Sequence, residues 1–216
     1  MSKSRNSSPL RYPGGKAFLT DYFSEVISLS EFNEVTYVEP FAGGAGAALN
    51  LLFLEKVEKI VVNDLDKSIY SFWKSVVPES EKFIDKLDSI KISVKEWDKQ
   101  KAIYINSKSK NFDLGFATFY LNRCNRSGIM DAGPIGGRDQ TGEWKIDARF
   151  NKKELIERVE KIALYKKRIT VTNDDGIELI KSFDLKSANY FIYFDPPYYV
   201  HGSSLYLNHY KGNDHS

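Results

Sequence analysis

The stretch that most restricts how this chain can fold lies near its C-terminal end: Tyr190-Phe191-Ile192-Tyr193-Phe194-Asp195-Pro196-Pro197-Tyr198-Tyr199. Its run of aromatic and β-branched residues reads as a short strand buried on both faces, the pattern of a parallel sheet with helices on either side. Pro196 and Pro197 end that strand. Neither has an amide N–H for a ladder and each fixes its own φ, so Asp195 and Tyr198 are held on a stiff bend at the C-terminal edge. Open α/β sheets take their ligands at that edge. A plainer reading also fits these residues: a strand end with a proline stop, its Asp capping the next segment.

Similar units precede it. Val35 to Glu39 reads as a β-branched strand, followed by Pro40-Phe41-Ala42-Gly43-Gly44-Ala45-Gly46 and a helix from Ala47 to Glu55. Glycines at such a turn let the backbone approach a ligand closely. A dinucleotide fingerprint would need a third glycine where Leu49 stands, and there is no Walker lysine. The next strand, Lys59 to Val62, ends in Asn63-Asp64, with Asp64 about 25 residues beyond Glu39 and so placed either for a ribose diol or as a cap for the helix that follows. Upstream, Pro13-Gly14-Gly15-Lys16 opens a helix running to Leu29; free amides and a lysine there suit an anion, although many helices begin this way with no ligand.

The β-α alternation is interrupted between residues 81 and 165 and resumes with the strand Arg168 to Thr172, Asp174-Asp175-Gly176 and a helix from Ile177. The interruption is lysine-rich and helical at first, then irregular, with Asn122-Arg123-Cys124-Asn125-Arg126 and a glycine-bearing loop that includes Arg138. Overall net charge is only +2, yet Glu81 to Thr170 holds 20 Lys and Arg against 13 Asp and Glu, an excess of +7 that leaves −5 for the rest. Such a block suits a phosphate backbone, and equally a solvated face. A lone cysteine, Cys124, permits no internal disulfide or cysteine-rich metal site and fits a reducing cytoplasm. No apolar run approaches the roughly 18 residues of a membrane span, and residues 1–8 lack a signal-peptide core.

The bend at Asp195 could serve methylation of an exocyclic amine. The lone pair of such an amine is conjugated into its ring, and acceptors such as the Asp195 carboxylate and the Pro196 carbonyl would draw it toward an incoming methyl while Tyr198 lies flat on the base. In their order, Tyr12-Pro13-Gly14-Gly15-Lys16, Glu39-Pro40-Phe41-Ala42-Gly43-Gly44, Asn63-Asp64, Asn122-Arg123, Asp175 and Asp195-Pro196-Pro197-Tyr198 resemble the Dam-like (D12 class) adenine-N6 DNA methyltransferases.

That resemblance implies an S-adenosylmethionine-binding, Rossmann-like α/β sheet carrying an inserted, mainly helical target-recognition domain. The cofactor-binding and catalytic domain would be residues 1–80 plus 166–216 and the insertion residues 81–165. It implies cofactor contacts at Tyr12, Lys16, Glu39, Pro40, Phe41, Gly43, Gly44, Asp64, Asp175 and Asp195, a catalytic loop of Asp195, Pro196 and Tyr198, and DNA contacts at Arg123, Arg126 and Arg138, with no metal. The implied partners are double-stranded DNA and a cognate restriction endonuclease, with a cytoplasmic location and no membrane. Family domains continue beyond this loop, so a chain cut short at its C-terminus is also implied. Two other readings remain at this level: a methyltransferase acting on RNA or protein, and an inert DNA-binding remnant.

Overall fold

The alternation of apolar strands with glycine-punctuated helices builds a parallel sheet in the computed structural model, which describes residues 7–12, 14–30, 32–186 and 189–196. Among these, strands β1 (Thr36–Glu39), β2 (Lys59–Asn63), β3 (Ile169–Thr172) and β4 (Tyr190–Ile192) lie in the order β3-β2-β1-β4. All three pairings are parallel, with Val38 level with Val61 and Ile192, and Asn63 level with Thr172. The chain therefore steps outward from β1 to β2 to β3 and then returns to the other side of β1. The opening between β1 and β4 is a topological switch point, the usual ligand position of an open α/β sheet.

The chain divides into two compact units, one of residues 1–7, 14–67 and 167–216, the other of 8–13 and 68–166. In the first, side chains alternate across the sheet as the two-residue period demands. Tyr37, Phe191 and Tyr193 face Phe23 of α1 (Thr20–Leu29), with the Tyr37 and Phe191 rings stacked 5.7 Å apart. Val38 and Val61 on the other face pack with Leu179 of α8 (Gly176–Lys181), and Phe183, Tyr190 and Ile192 close over them. Helix α2 (Gly46–Phe53) is buried along most of its length. One expectation is corrected here: β4 is half-buried, not buried on both faces. Among the described residues it pairs only with β1, so one flank has no strand beside it.

The second unit is helical: α3 (Lys67–Val76, from Ser68 on), α4 (Ser80–Ser89), α5 (Val94–Asn106), α6 (Phe112–Cys124) and α7 (Lys152–Leu164). Side chains at the caps set where three of these begin. Ser93, Asn111 and Asn151 accept hydrogen bonds from the N–H groups of Glu96, Leu114 and Glu154. Helix α6 is the axis, because every residue from Leu114 to Cys124 is buried, as befits a helix apolar on most sides. Around it Phe72, Phe83, Phe116, Phe119 and Phe150 form a continuous aromatic cluster. Phe72 ties α3 to this core through Phe83 and Phe119, so the compact unit takes in residues 8–13 and 68–166, a wider span than the 81–165 expected for an insertion.

Gly115 lets α3 and α6 touch. A Cβ there would sit 2.2 Å from the Ser71 carbonyl oxygen and 2.3 Å from Ser75 Oγ. Overpacking of that kind costs about 1–3 kcal/mol or more, whereas the helix-propensity gain of alanine is about 1 kcal/mol. Gly115→Ala is therefore expected to lower the thermal midpoint in a calorimetric scan, and an unchanged or higher midpoint would refute the close-crossing argument.

Candidate active site

The C-terminal edge of the sheet is assembled by one buried amide. Asn63, the last residue of β2, is fully buried. Its Nδ2 donates to the carbonyl oxygens of Pro40 and Asp174, at 2.8 and 2.9 Å, and its Oδ1 accepts from Thr172 Oγ1 and the Asp174 N–H, at 2.7 and 2.9 Å. A fully satisfied amide of this kind fixes the turns after β1 and β3 relative to β2. Asn173 adds a second tie, donating from Nδ2 to the carbonyls of Asp64 and Leu65. The sequence reading treated Asn63 only as the neighbour of Asp64. An amide ending an otherwise apolar buried strand was the available signal.

Three acids and a lysine gather on this frame. Glu39, at the end of β1, is buried, and its Oε1 accepts from Tyr37 Oη and from the Ala48 N–H in the first turn of α2, both at 3.1 Å. Burial pushes its carboxyl from an ordinary 4.5 up to about 7. The two hydrogen bonds oppose that shift, nearby Asp195 adds to it and Lys16 works against it. Tyr37 is correspondingly harder to ionise, first through burial and then through the Glu39 charge. Asp64 spans the glycine turn, accepting the Gly43 N–H on Oδ2 and the Asp66 N–H on Oδ1, both at 2.9 Å. Burial moves it from 3.8 up to about 7, with both amides opposing and the Asp66 charge assisting.

Asp195, beyond β4, is paired with Lys16: Lys16 Nζ donates to Asp195 Oδ2 and, at 3.1 Å, to the Gly14 carbonyl. The N-terminal loop and the β4 bend, 179 residues apart in sequence, thus meet at one ion pair. The aromatic wall beside it is Phe41, whose ring stands edge-on to Phe194 at 5.0 Å. Gly176 must lack a side chain here, since a Cβ would fall 2.5 Å from the Phe41 ring. Asp175 caps α8, its Oδ1 accepting the N–H groups of Ile177 and Glu178. Pro40 and Gly44 are buried in the turn, and Pro196 is half-buried. Pro197 and Tyr198 lie outside the described residues. Tyr12 belongs to the helical unit, whereas Lys16 belongs to the sheet unit.

The arginines fall differently from expectation. Arg123 is buried, with Nε donating to the Pro9 carbonyl at 2.6 Å and Nη2 donating to the same oxygen. Burial and the neighbouring Arg158 and Arg11 charges bring its guanidinium down to about 9. It holds residues 8–12 against the helical unit, and its buried fork does not fit the DNA contact expected of it. Asn122 shares that task by exchanging hydrogen bonds with the Arg11 N–H and carbonyl, both at 2.7 Å. Arg138 is exposed but doubly bonded to Asp98 at 2.9 Å. Arg126 is exposed on the loop.

Among the described residues no group of three or more His, Cys, Asp and Glu could hold a metal ion, and no helix is long and apolar enough to cross a membrane. Cys124 is buried, and burial pushes its thiol up to about 12.

Buried acids of this kind couple to pH with a definite sign. The native state holds the Glu39 proton up to about pH 7, whereas an unfolded chain releases it near 4.5, so stability falls as pH rises through that window. Glu39→Gln removes the cost of ionising the buried group. It is expected to be the more stable protein at pH 8, by up to roughly 3 kcal/mol, with the advantage shrinking by pH 4. Thermal denaturation of both proteins at the two pH values checks this.

Residues 12–216 match the family described as D12 class N6 adenine-specific DNA methyltransferase. The chain is 27% identical over 205 residues to the type II methyltransferase M.MjaIII of Methanocaldococcus jannaschii, a match covering 88% of this chain and 68% of that protein. It is 24% identical over 206 residues to the modification methylase StsI of Streptococcus sanguinis, covering 89% of this chain and 29% of that protein.

Proposed function

The chain belongs to the D12 class N6 adenine-specific DNA methyltransferases, and from that premise we propose that S-adenosylmethionine binds at the β1–β4 switch point and that Asp195 receives the target amine. The observation carrying this reading is the charge pattern of the edge. Three acids, Glu39, Asp64 and Asp195, stand at this edge with Lys16 paired to Asp195, an acid-rich site suited to a ligand bearing an ammonium and a sulfonium. When bound, that cofactor supplies an electrophilic methyl group.

The protein's own residues hold and orient. Glu39, at the end of β1 and hydrogen-bonded to the first turn of α2, faces the ammonium end, and Lys16 offers a cation for the carboxylate. Asp64 closes the glycine turn and meets the ribose diol, and Phe41 and Asp175 flank the adenine ring. On the other side, Asp195 and the Pro196 carbonyl accept hydrogen bonds from the amine. Their attraction grows as the nitrogen becomes cationic, so they favour the transition state over the ground state. An adenine inside a duplex cannot reach such an edge, and the base is therefore extruded, with Tyr198 stacking on it.

The helical unit, which holds most but not all of the basic excess of residues 81–170, serves as the target-recognition domain, and Arg126 is the arginine of the expected three best placed to meet DNA. The relatives' names, a type II methyltransferase and a modification methylase, support a pairing with a cognate restriction endonuclease.

Asp195→Ala is expected to lower methyl transfer to duplex DNA at least a hundredfold or so while duplex affinity changes little. Transfer of tritiated methyl groups to mixed-sequence DNA, beside a binding titration, measures both. Comparable turnover in the variant would remove Asp195 from the chemistry.

A further inference from the structure

Trp144 is 64% exposed in the loop between α6 and α7, and the loop around it is closed on itself. Gln140 sits at its centre with a left-handed φ of 51°, a conformation a non-glycine residue keeps only when its surroundings hold it there. Its Nε2 donates to the carbonyls of Ile135 and Gly137, at 2.9 and 2.5 Å, and its Oε1 accepts the Ile146 N–H at 2.9 Å. Lys145 Nζ donates to the carbonyls of Gln140 and Gly142, at 2.7 and 2.9 Å. Gly136 has a φ of 83°, and a Cβ on it would lie 2.6 Å from the Trp144 carbonyl oxygen. A Cβ on Gly142 would lie 2.9 Å from Gly136 Cα. The backbone on both sides of Trp144 is therefore fixed while its indole stays in solvent.

A single exposed apolar side chain ordinarily requires no explanation. Here a large aromatic is presented by an ordered, partly strained loop whose fixing bonds all run through backbone and polar groups and leave the ring outside. From Asn125 to Asn151 the loop carries Arg126, Arg138, Lys145 and Arg149 against Asp131, Asp139, Glu143 and Asp147, so it has no net charge to attract phosphates. The basic excess of residues 81–170 lies outside this loop, mostly at Lys91, Lys108, Lys110 and Lys166 to Arg168. With no net charge of its own, the loop offers DNA an aromatic face, the kind of contact that stacks on bases, and leaves gripping of the backbone to basic side chains outside it.

We propose that Trp144 is a stacking contact to a nucleobase of the DNA, a binding residue outside the methyl-transfer site. This rests on the reading of the chain as a DNA methyltransferase. Stacking is insensitive to salt, whereas phosphate contacts release counterions. Trp144→Ala should therefore weaken duplex binding roughly fivefold to a hundredfold without changing the slope of log affinity against log salt.

The experiment titrates the whole chain with sheared mixed-sequence duplex DNA at several salt concentrations, reading anisotropy of labelled DNA and intrinsic tryptophan emission. The other two tryptophans, Trp73 and Trp97, are 1% and 7% exposed, so stacking of Trp144 should dominate any quenching. Trp144→Phe should keep most of the affinity and lose the quenching. Circular dichroism confirms that both variants fold. Equal affinity of wild type and Trp144→Ala would overturn the proposal, as would a fall in salt slope or quenching that persists in Trp144→Phe. Failure of the wild type to bind duplex DNA at all would overturn the DNA-methyltransferase reading as well, which separates the two failures.

Discussion

The C-terminal edge of the sheet depends on the amide of Asn63. Parallel strands are joined by long crossovers, so nothing in their ladder fixes the turns that leave them, and those turns carry the functional side chains. Asn63 supplies the missing restraint by bonding the Pro40 carbonyl on one side and Thr172 and Asp174 on the other. All its hydrogen-bonding capacity is used, and its full burial means water cannot substitute for a lost partner. An isosteric aspartate would place a charge where two carbonyl oxygens already point at Nδ2. The bonding at this edge thus calls for an amide, which offers two donors and a two-lone-pair acceptor on one short stem.

Upon that frame the electrostatics are deliberately unbalanced. Glu39 and Asp64 are each held by two hydrogen bonds that favour the anion, yet burial outweighs them and both sit near neutrality. Lys16 is engaged with Asp195. A cationic ligand entering such a site would ionise the acids as it binds, gaining attraction that the empty edge does not have to sustain. The cost appears in the free protein as lost stability at neutral pH.

Much of the sheet was legible because strand, turn and helix each leave a local pattern: β-branched runs, glycines at the turn after Glu39, prolines after Asp195. Glu39, Asp64, Lys16 and Asp195 gather at one edge, and their meeting could be inferred only from motif order, since nothing local relates Lys16 to a residue 179 positions away. The charge count found the basic region but could not tell which arginines face out. Arg123 follows an apolar helical run and turns inward to the Pro9 carbonyl, a contact whose other half lies 114 residues upstream. β4 was misread for a related reason. Its aromatic run has the composition of a central strand, but burial depends on neighbours, and among the described residues β4 has a strand on one flank only.

Asp175 shows how a structural and a functional reading can occupy one residue. Its two capping bonds both fall on Oδ1, so the carboxylate that begins α8 does so with one oxygen. An N-cap is worth about 1 kcal/mol, enough to fix where a six-residue helix starts. A Cβ at position 176, the first residue of that helix, would fall 2.5 Å from the Phe41 ring. The ring in turn rests edge-on against Phe194, next to Asp195. The cap, the missing Cβ and the aromatic pair thus run in series from the β3 turn to the β4 bend. Enlarging residue 176 would displace Phe41 before it disturbed α8, since a side-chain ring yields more readily than backbone already fixed by Asn63.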